Sequence, residues 1–135
     1  MTRTVETKIR VRYAETDQMG VAYYANFFVW FEIGRTEYCR RCGIVYRDME
    51  LEDDAYIVVA EATCRYQAPA RYDDLLRIRT QVKEARKRVI TFAYEVYNDA
   101  TGQLLATGAT THVITGRDGR PKTLPKKYQK VFLTA

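Results

Sequence analysis

The sequence has one histidine, His112, and three cysteines among its 135 residues. A Ser/His/Asp or Cys/His catalytic system would therefore depend on a single base, placed inside a threonine- and valine-rich stretch that is typical of a strand. The sequence also lacks the G-x-S-x-G, P-loop and G-x-G-x-x-G patterns. These absences argue against serine-hydrolase chemistry.

The cysteine count is odd, which argues against a disulfide framework and is typical of a reducing compartment. Cys39 and Cys42 form a C-x-x-C pair, but this pair ends a predicted helix and has no second pair or histidine nearby. We therefore expect three free thiols, including Cys64, and neither a bound metal nor a cofactor.

No apolar run approaches the roughly 18 residues of a membrane span. The segment Met1–Arg12 alternates charged with apolar residues, unlike a signal peptide. We expect a cytoplasmic protein with no membrane contact. Its length of 135 residues predicts one domain, 1–135, without linkers or repeats.

The net charge of +5 favours an anionic partner, either a nucleic acid or a phosphate-bearing small molecule. The 11 tyrosines raise the question of RNA binding, because RNA-binding modules stack bases on exposed aromatic side chains. No RRM, KH or zinc-knuckle signature is present. We therefore expect no nucleic-acid partner.

The segment Asp17–Gly43 organises the rest of the chain. It predicts a helix from about Tyr24 to Cys42, because its apolar residues recur at spacings of three and four and a glycine follows two arginines. A glycine inside a helix costs about 1 kcal/mol relative to alanine, so Gly34 indicates close approach to a sheet. The predicted apolar stripe consists of Phe27, Trp30, Phe31, Gly34 and Tyr38.

Five stretches alternate apolar and polar residues, the pattern of half-buried strands. One precedes the helix and four follow it without intervening helices, which predicts an α+β fold: an antiparallel meander of four strands wrapped around the helix. We expect Ile44–Asp54 to be an irregular connection and 126–132 to form one or two helical turns. The predicted strands are Thr4–Tyr13 (with Tyr13 on the apolar face), Tyr56–Ala68, Leu75–Glu84, Val89–Tyr97 and Leu104–Ile114.

The motif DxxGxxYYANF, followed by FxxGRTEY, resembles the hot-dog fold thioesterases, and among them the 4-hydroxybenzoyl-CoA thioesterase-like acyl-CoA hydrolases. The segments YQAPARYDDLLRI, EARKRV and GRDGRPKTLP occur in the order of that family, so the resemblance covers nearly the whole chain. It implies a hot-dog fold and hydrolysis of an acyl-CoA thioester without a metal or redox cofactor. Hot-dog dehydratases are disfavoured, since their helix-adjacent histidine is absent.

The resemblance implies that Asp17 attacks the thioester carbonyl or activates the water that does. The backbone N–H of Tyr24 would then polarise the carbonyl oxygen, with Gly20 supplying the tight turn between them. By itself, an aspartate before a glycine can equally cap a turn.

Further candidates for substrate binding are Tyr23, Asn26 and Glu61. The adjacent tyrosines either line an acyl pocket or pack in the core, and Asn26 either orients a water or caps the helix. Glu61 is a second carboxylate that ranks below Asp17. Acidic and basic residues at 32, 35 and 37 have the spacing of helical ion pairs.

The basic hairpin Arg86, Lys87 and Arg88 is either a solvated turn or, as the resemblance implies, the site that holds the phosphates of coenzyme A. The resemblance also implies a homo-oligomer, a tetramer built from dimers, with AEATCRYQ as the pairing edge. An alternative function is a non-catalytic acyl-CoA or acyl-carrier binding protein, which would need the pocket and hairpin but not Asp17.

Overall fold

The computed structural model describes residues 3–134, with the side chains of residues 133 and 134 left undescribed. Residues 1, 2 and 135 lie outside this range. The first two belong to the Met1–Arg12 segment discussed above, and the last to the predicted domain 1–135. Within it the elements are β1 (Thr4–Arg10), a 3-10 helix (Tyr13–Glu15), α1 (Asn26–Arg41), α2 (Tyr46–Asp53), β2 (Tyr56–Tyr66), β3 (Leu75–Ala85), β4 (Val89–Asn98), β5 (Leu104–Thr115) and α3 (Lys126–Thr134).

The five strands form one antiparallel sheet in the order β1-β3-β4-β5-β2. The α+β prediction is confirmed, but a meander of all four later strands is wrong. Only β3, β4 and β5 form a meander, because β2 pairs with β5 and not with β3. β2 therefore lies at one edge of the sheet and β1 at the other.

The core lies between α1 and the concave face of the sheet. The predicted stripe on α1 is confirmed, since Phe27, Trp30, Phe31, Gly34 and Tyr38 are all buried. These residues meet the inward side chains of the central strands, where the predicted alternation in β3 and β4 is also confirmed. The inward residues of these strands are Leu76, Ile78, Thr80, Val82, Ile90, Phe92, Tyr94 and Val96.

Gly34 lets the helix approach the sheet closely, as predicted. A Cβ atom at this position would lie 2.5 Å from Thr80 Oγ1 and 3.0 Å from Ile78 Cγ2, and both side chains are fully buried. At the C-terminal end of α1, Gly43 has a φ of +87° and stops the helix as expected.

Two predictions of secondary structure are wrong: the irregular connection at residues 44–54 and the strand position of Tyr13. Residues 44–54 are not an irregular connection: they contain α2, whose Met49 is fully buried and anchors the helix. Tyr13 does not face the core, because the chain leaves β1 after Arg10 and turns into the 3-10 helix, which leaves Tyr13 78% exposed. Tertiary packing decided both segments.

The tail follows the prediction, with helix α3 over Lys126–Thr134. Its Tyr128 hydroxyl donates a hydrogen bond to Asp53 on α2, and Lys127 pairs with the same carboxylate at 3.1 Å. None of the helices in residues 3–134 has the length and apolar character needed to cross a membrane.

Candidate active site

Asp17 lies in the segment that joins β1 to α1, inside a tight turn. Its N–H donates to the Val21 carbonyl at 2.8 Å, and the Gly20 N–H donates to the Asp17 carbonyl at 3.0 Å. Gly20 has a φ of +81°, in the left-handed region that glycine adopts without strain. The turn is fastened to the β2–β3 connection by the Ala22 N–H, which donates to the Ala70 carbonyl at 2.7 Å.

The Asp17 carboxylate is half-buried and only partly engaged. Its Oδ1 accepts the N–H of Met19 at 2.8 Å, so the turn-capping interpretation describes this oxygen correctly. Within residues 3–134 the other oxygen, Oδ2, accepts no hydrogen bond and is available to a substrate or water.

Two cavities meet at Asp17. One, of about 400 Å³, is lined largely by aromatic and apolar side chains, including Tyr23, Tyr24, Phe27 and Tyr66. The other, of about 660 Å³, has a more polar lining, which includes Gly20 and Gln18. Asp17 is the residue common to the linings of both cavities.

The aromatic cavity has a wall that sequence reasoning did not identify, Tyr66 at the end of β2. Its ring packs edge-on against Phe27 with centroids 5.1 Å apart, and its hydroxyl donates to the Tyr24 carbonyl at 2.9 Å. Burial raises the pKa of Tyr66, so the phenol remains a donor at neutral pH. The sequence signal that could have identified Tyr66 was its position at the end of a predicted strand, just before the turn at Pro69.

The N-terminus of α1 opens toward this cavity. Within the described residues, the N–H groups of Tyr24 and of the N-cap residue Ala25, in the turn that leads into α1, donate no backbone hydrogen bond. Tyr24 itself lines the cavity that contains Asp17. Asp17, which has one free carboxylate oxygen, and Tyr24, which has an unpaired N–H just before the positive end of the helix dipole, therefore line the same cavity.

The sequence left open whether Tyr23 and Tyr24 pack in the core and whether Asn26 caps the helix. Side-chain exposure and hydrogen bonds decide both questions. Core packing is wrong for the adjacent tyrosines, because Tyr23 is 48% and Tyr24 57% exposed. Helix capping is wrong for Asn26, because Ala25 occupies the N-cap and the Asn26 side-chain amide donates to the Glu15 carbonyl at 2.8 Å. Asn26 instead ties the helix to the preceding segment.

Glu15 is a buried carboxylate that sequence reasoning missed. It is 6% exposed, and it accepts hydrogen bonds from Trp30 Nε1 at 2.9 Å and from the Arg12 N–H at 2.8 Å. Burial by itself would raise the pKa of Glu15, but these hydrogen bonds and the nearby Arg12 guanidinium together lower it. The only signal in the sequence was an acidic residue two positions before Asp17.

The structure does not bring the remaining candidates to Asp17 within one chain. Glu61 is exposed on edge strand β2 and lines neither of the two cavities. Arg86, Lys87 and Arg88 form the exposed turn between β3 and β4, at the end of the sheet opposite the Asp17 turn. The length of β3 separates them, roughly 33 Å at about 3.3 Å per residue.

The residues considered for other chemistry lie away from the cavities. His112 is fully buried, with its Nε2 2.8 Å from Thr110 Oγ1. The three cysteines are unpaired, as predicted, and burial raises the pKa of Cys39 to about 12. Of the charged residues at 32, 35 and 37 on α1, Glu37 forms an ion pair, but its partner is Arg40, which is outside that set. Across residues 3–134 there is no group of three His, Cys, Asp or Glu side chains placed to hold a metal ion.

A five-stranded antiparallel sheet that wraps a single long helix, with a carboxylate at the helix N-terminus, defines the hot-dog class of proteins. The sequence profile of the thioesterase-like superfamily matches residues 11–132, and this chain belongs to that superfamily. The resemblance predicted from the sequence motifs is therefore confirmed.

Individual relatives agree with this assignment. The acyl-CoA thioester hydrolase YbgC of Escherichia coli O157:H7 is 31% identical over 124 residues, covering 92% of each chain. The DHNA-CoA thioesterase of Staphylococcus aureus superposes with a TM-score of 0.92 at 29% identity, covering 97% of this chain and 89% of that one. The 4-hydroxybenzoyl-CoA thioesterase of Pseudomonas sp. strain CBS-3 shares the fold, with a TM-score of 0.87 at 23% identity over 96% of this chain and 99% of that one.

Proposed function

We propose that this protein hydrolyses the thioester of an acyl-CoA to a carboxylic acid and coenzyme A. Asp17 is the nucleophile or general base, and the N-terminus of α1 is the oxyanion site. The observation that carries the proposal is that one cavity is lined by both Asp17, which has a free carboxylate oxygen, and Tyr24, which has an unpaired N–H. Membership of the thioesterase-like superfamily and the activities named for its relatives support the reaction class.

Two chemical routes use the same geometry. As a nucleophile, Asp17 attacks the thioester carbon, the coenzyme A thiolate leaves, and water then hydrolyses the mixed anhydride to restore the carboxylate. As a general base, Asp17 takes a proton from water, whose oxygen attacks the same carbon; the C–S bond then breaks, and the proton held by Asp17 passes to the departing coenzyme A thiolate. In both routes negative charge develops on the carbonyl oxygen, where the Tyr24 N–H and the helix dipole stabilise it.

The aromatic cavity is the proposed acyl site. Tyr23, Tyr24, Phe27 and Tyr66 present ring faces and edges that can contact a planar aromatic acyl group, and a short aliphatic chain would bury against the same surface. Both classes therefore belong in the test.

We also propose that the active unit is a homodimer joined through β2, within a homotetramer. β2 is a long edge strand whose residues are mostly exposed, including Val58 at 44% and Val59 at 47%. A long, apolar, unpaired edge normally requires protection or a partner strand. Antiparallel pairing of two β2 strands about a two-fold axis would continue the sheet through both subunits.

This pairing would bring the remote basic hairpin to the site. Within one chain, Tyr66 lies at the Asp17 end of β2, while Tyr56 lies at the other end, where Thr115 pairs with it and the Ile114 N–H donates to the Arg88 carbonyl at 3.0 Å. An antiparallel β2 partner would place its Tyr56 end beside Tyr66. Its hairpin would then approach the cavity of the first subunit, with guanidinium groups available to the phosphates of coenzyme A.

Thiol release from a panel of aliphatic and aromatic acyl-CoA substrates tests the reaction and its catalytic residue together. We expect hydrolysis by the wild type and a loss of about two to three orders of magnitude in kcat for Asp17→Asn, with substrate binding retained because the side chains are nearly isosteric. A wild type that binds acyl-CoA without releasing thiol would instead favour the binding-protein alternative. An Asp17→Asn rate within about tenfold of wild type would exclude Asp17 as the catalytic group and direct attention to Glu61.

A further inference from the structure

Glu15 accepts four hydrogen bonds, two at its side chain and two at its main-chain carbonyl. Its carboxylate accepts from the Arg12 N–H and from the indole N–H of Trp30, which lies in the middle of the core face of α1. Its main-chain carbonyl accepts from the Tyr23 N–H and from the Asn26 side chain, each at 2.8 Å. One residue thus joins the end of β1, the interior of α1 and the start of α1.

These contacts enclose the proposed catalytic pair. Asp17 follows Glu15 by two residues, and Tyr24 follows Tyr23, whose N–H is bound to Glu15. The intervening turn is closed on itself, so the distance between the Asp17 carboxylate and the Tyr24 N–H depends on how its two ends are held. Burial of Glu15 and Trp30 excludes water as a substitute partner.

We propose that Glu15 is a positioning residue for the reaction, which fixes the Asp17 carboxylate relative to the N-terminus of α1 through its hydrogen bonds to Trp30, Arg12 and Tyr23. This inference rests on the proposed function, because it assigns Glu15 an effect on rate that acts through Asp17. Glu15 contacts neither of the two cavities and touches no substrate.

The site requires a carboxylate and not an amide. The Arg12 N–H points at Oε1 and the Trp30 indole N–H points at Oε2, so both oxygens serve as acceptors. In Glu15→Gln one of these positions becomes an NH2 group that faces another donor, and one buried donor loses its acceptor. The shape of the side chain and the main-chain hydrogen bonds from Tyr23 and Asn26 are retained, while one of the two side-chain hydrogen bonds is lost.

The test is the kcat and KM of Glu15→Gln in two backgrounds, with the best substrate of the panel. In the wild-type background we expect kcat to fall by about 10- to 100-fold with KM within about twofold, because small displacements of a catalytic group have effects of this size. In the Asp17→Asn background we expect no further fall, since there is no catalytic carboxylate left to position.

Two further variants separate positioning from general loss of stability. Trp30→Phe removes only the indole donor to Glu15 and part of a ring, and we expect the same fall in kcat without a rise in KM; it also serves if Glu15→Gln does not fold. Ile44→Val, a buried substitution beyond the C-terminal end of α1 and outside the site, should lower the melting temperature but not kcat.

The outcomes distinguish this inference from the proposed function. A normal kcat in Glu15→Gln or, where that variant does not fold, in Trp30→Phe would overturn the positioning role while leaving Asp17 in place. An equal fall of kcat in both the wild-type and Asp17→Asn backgrounds would also overturn it. Near-normal activity of Asp17→Asn would reject the proposed function itself.

Discussion

Glu15 and Asp17 are two acids of similar chemistry, two residues apart, in different environments. Glu15 is buried and both its oxygens accept hydrogen bonds, whereas Asp17 is half-buried and uses only one oxygen, in its own turn. A carboxylate that is buried and hydrogen-bonded at both oxygens is a poor nucleophile or base, because a substrate cannot reach it and part of its lone-pair capacity is engaged. The environment, and not the residue type, therefore makes Asp17 the candidate for chemistry.

His112 predicts a specific dependence of stability on pH. Burial of its ring, together with the Arg35 guanidinium, lowers the pKa of His112 to about 4. The unfolded chain binds this proton at about pH 6.5, so it binds more protons than the native state between about pH 6.5 and 4. The free energy of unfolding should therefore fall as the pH is lowered through this window, by about 3 kcal/mol from this residue.

Urea unfolding of the wild type and of His112→Gln at pH 7, 5.5 and 4 measures this contribution. The variant is expected to lose about 3 kcal/mol less than the wild type across the window, because other titrating groups contribute equally to both proteins. Parallel pH profiles for the two proteins would show that the imidazole is not held neutral by burial.

Among the elements, α1 sets the geometry of the site and the sheet holds α1 in place. Gly34 allows the helix to lie against Ile78 and Thr80 of β3, while the indole of Trp30 reaches back to Glu15. Helix position is thereby coupled at its middle to β3 and at its first turn to the Asp17 segment. The N-terminus that faces the cavity is fixed at both points.

The basic hairpin between β3 and β4 is expected to act on binding alone. Replacing Arg86 and Arg88 with alanine should raise KM for acyl-CoA several-fold, leave kcat nearly unchanged, and flatten the salt dependence of kcat/KM, because the phosphates lie far from the thioester. Steady-state kinetics at several ionic strengths measures all three quantities.

The matched control for this prediction removes the same charge elsewhere on β3. The pair Arg79→Ala and Lys83→Ala lies on the outer face of the strand and should leave KM unchanged. A truncated thioester that lacks the nucleotide should not respond to the hairpin variants. If full and truncated substrates respond equally, the hairpin is not the phosphate site.

At the scale of the whole molecule, the proposed dimer accounts for two features that one chain leaves unexplained. These are the exposed apolar edge of β2 and the distance between the Asp17 turn and the basic hairpin. Two such chains, each with an incomplete site, would make two complete sites at the seam.

Mixing two impaired variants, one without the catalytic carboxylate and one with weakened coenzyme A binding, tests the shared site. Asp17→Asn chains and Arg86→Ala/Arg88→Ala chains, unfolded and refolded together under subsaturating substrate, should recover part of the wild-type kcat/KM, because some hybrid sites combine an intact Asp17 with an intact partner hairpin. Light scattering coupled to size exclusion gives the mass of each sample. An active species at the monomer mass of 15.7 kDa, or a mixture no more active than the average of its parts, would contradict the shared site.

Much of the fold follows from local patterns in the sequence. The stripe on α1, the glycine stop at Gly43 and the alternation in β3 and β4 were all predictable, because helix and strand periodicities place apolar residues on one face. The motif around Asp17 and Tyr24 also identified the superfamily, because its residues are close together in the chain and can be recognised as one pattern.

Contacts between distant residues were decided only by the tertiary structure. The pairing of β2 with β5, the burial of Met49 in α2 and the reach of Tyr66 to Tyr24 depend on which surfaces meet, and alternating residues look alike whichever strand they pair with. Glu15 shows the same limit, since a carboxylate in a charged segment becomes a buried acceptor only when Trp30, 15 residues away, is folded against it. The sequence determined which faces are apolar, and packing determined what each face covers.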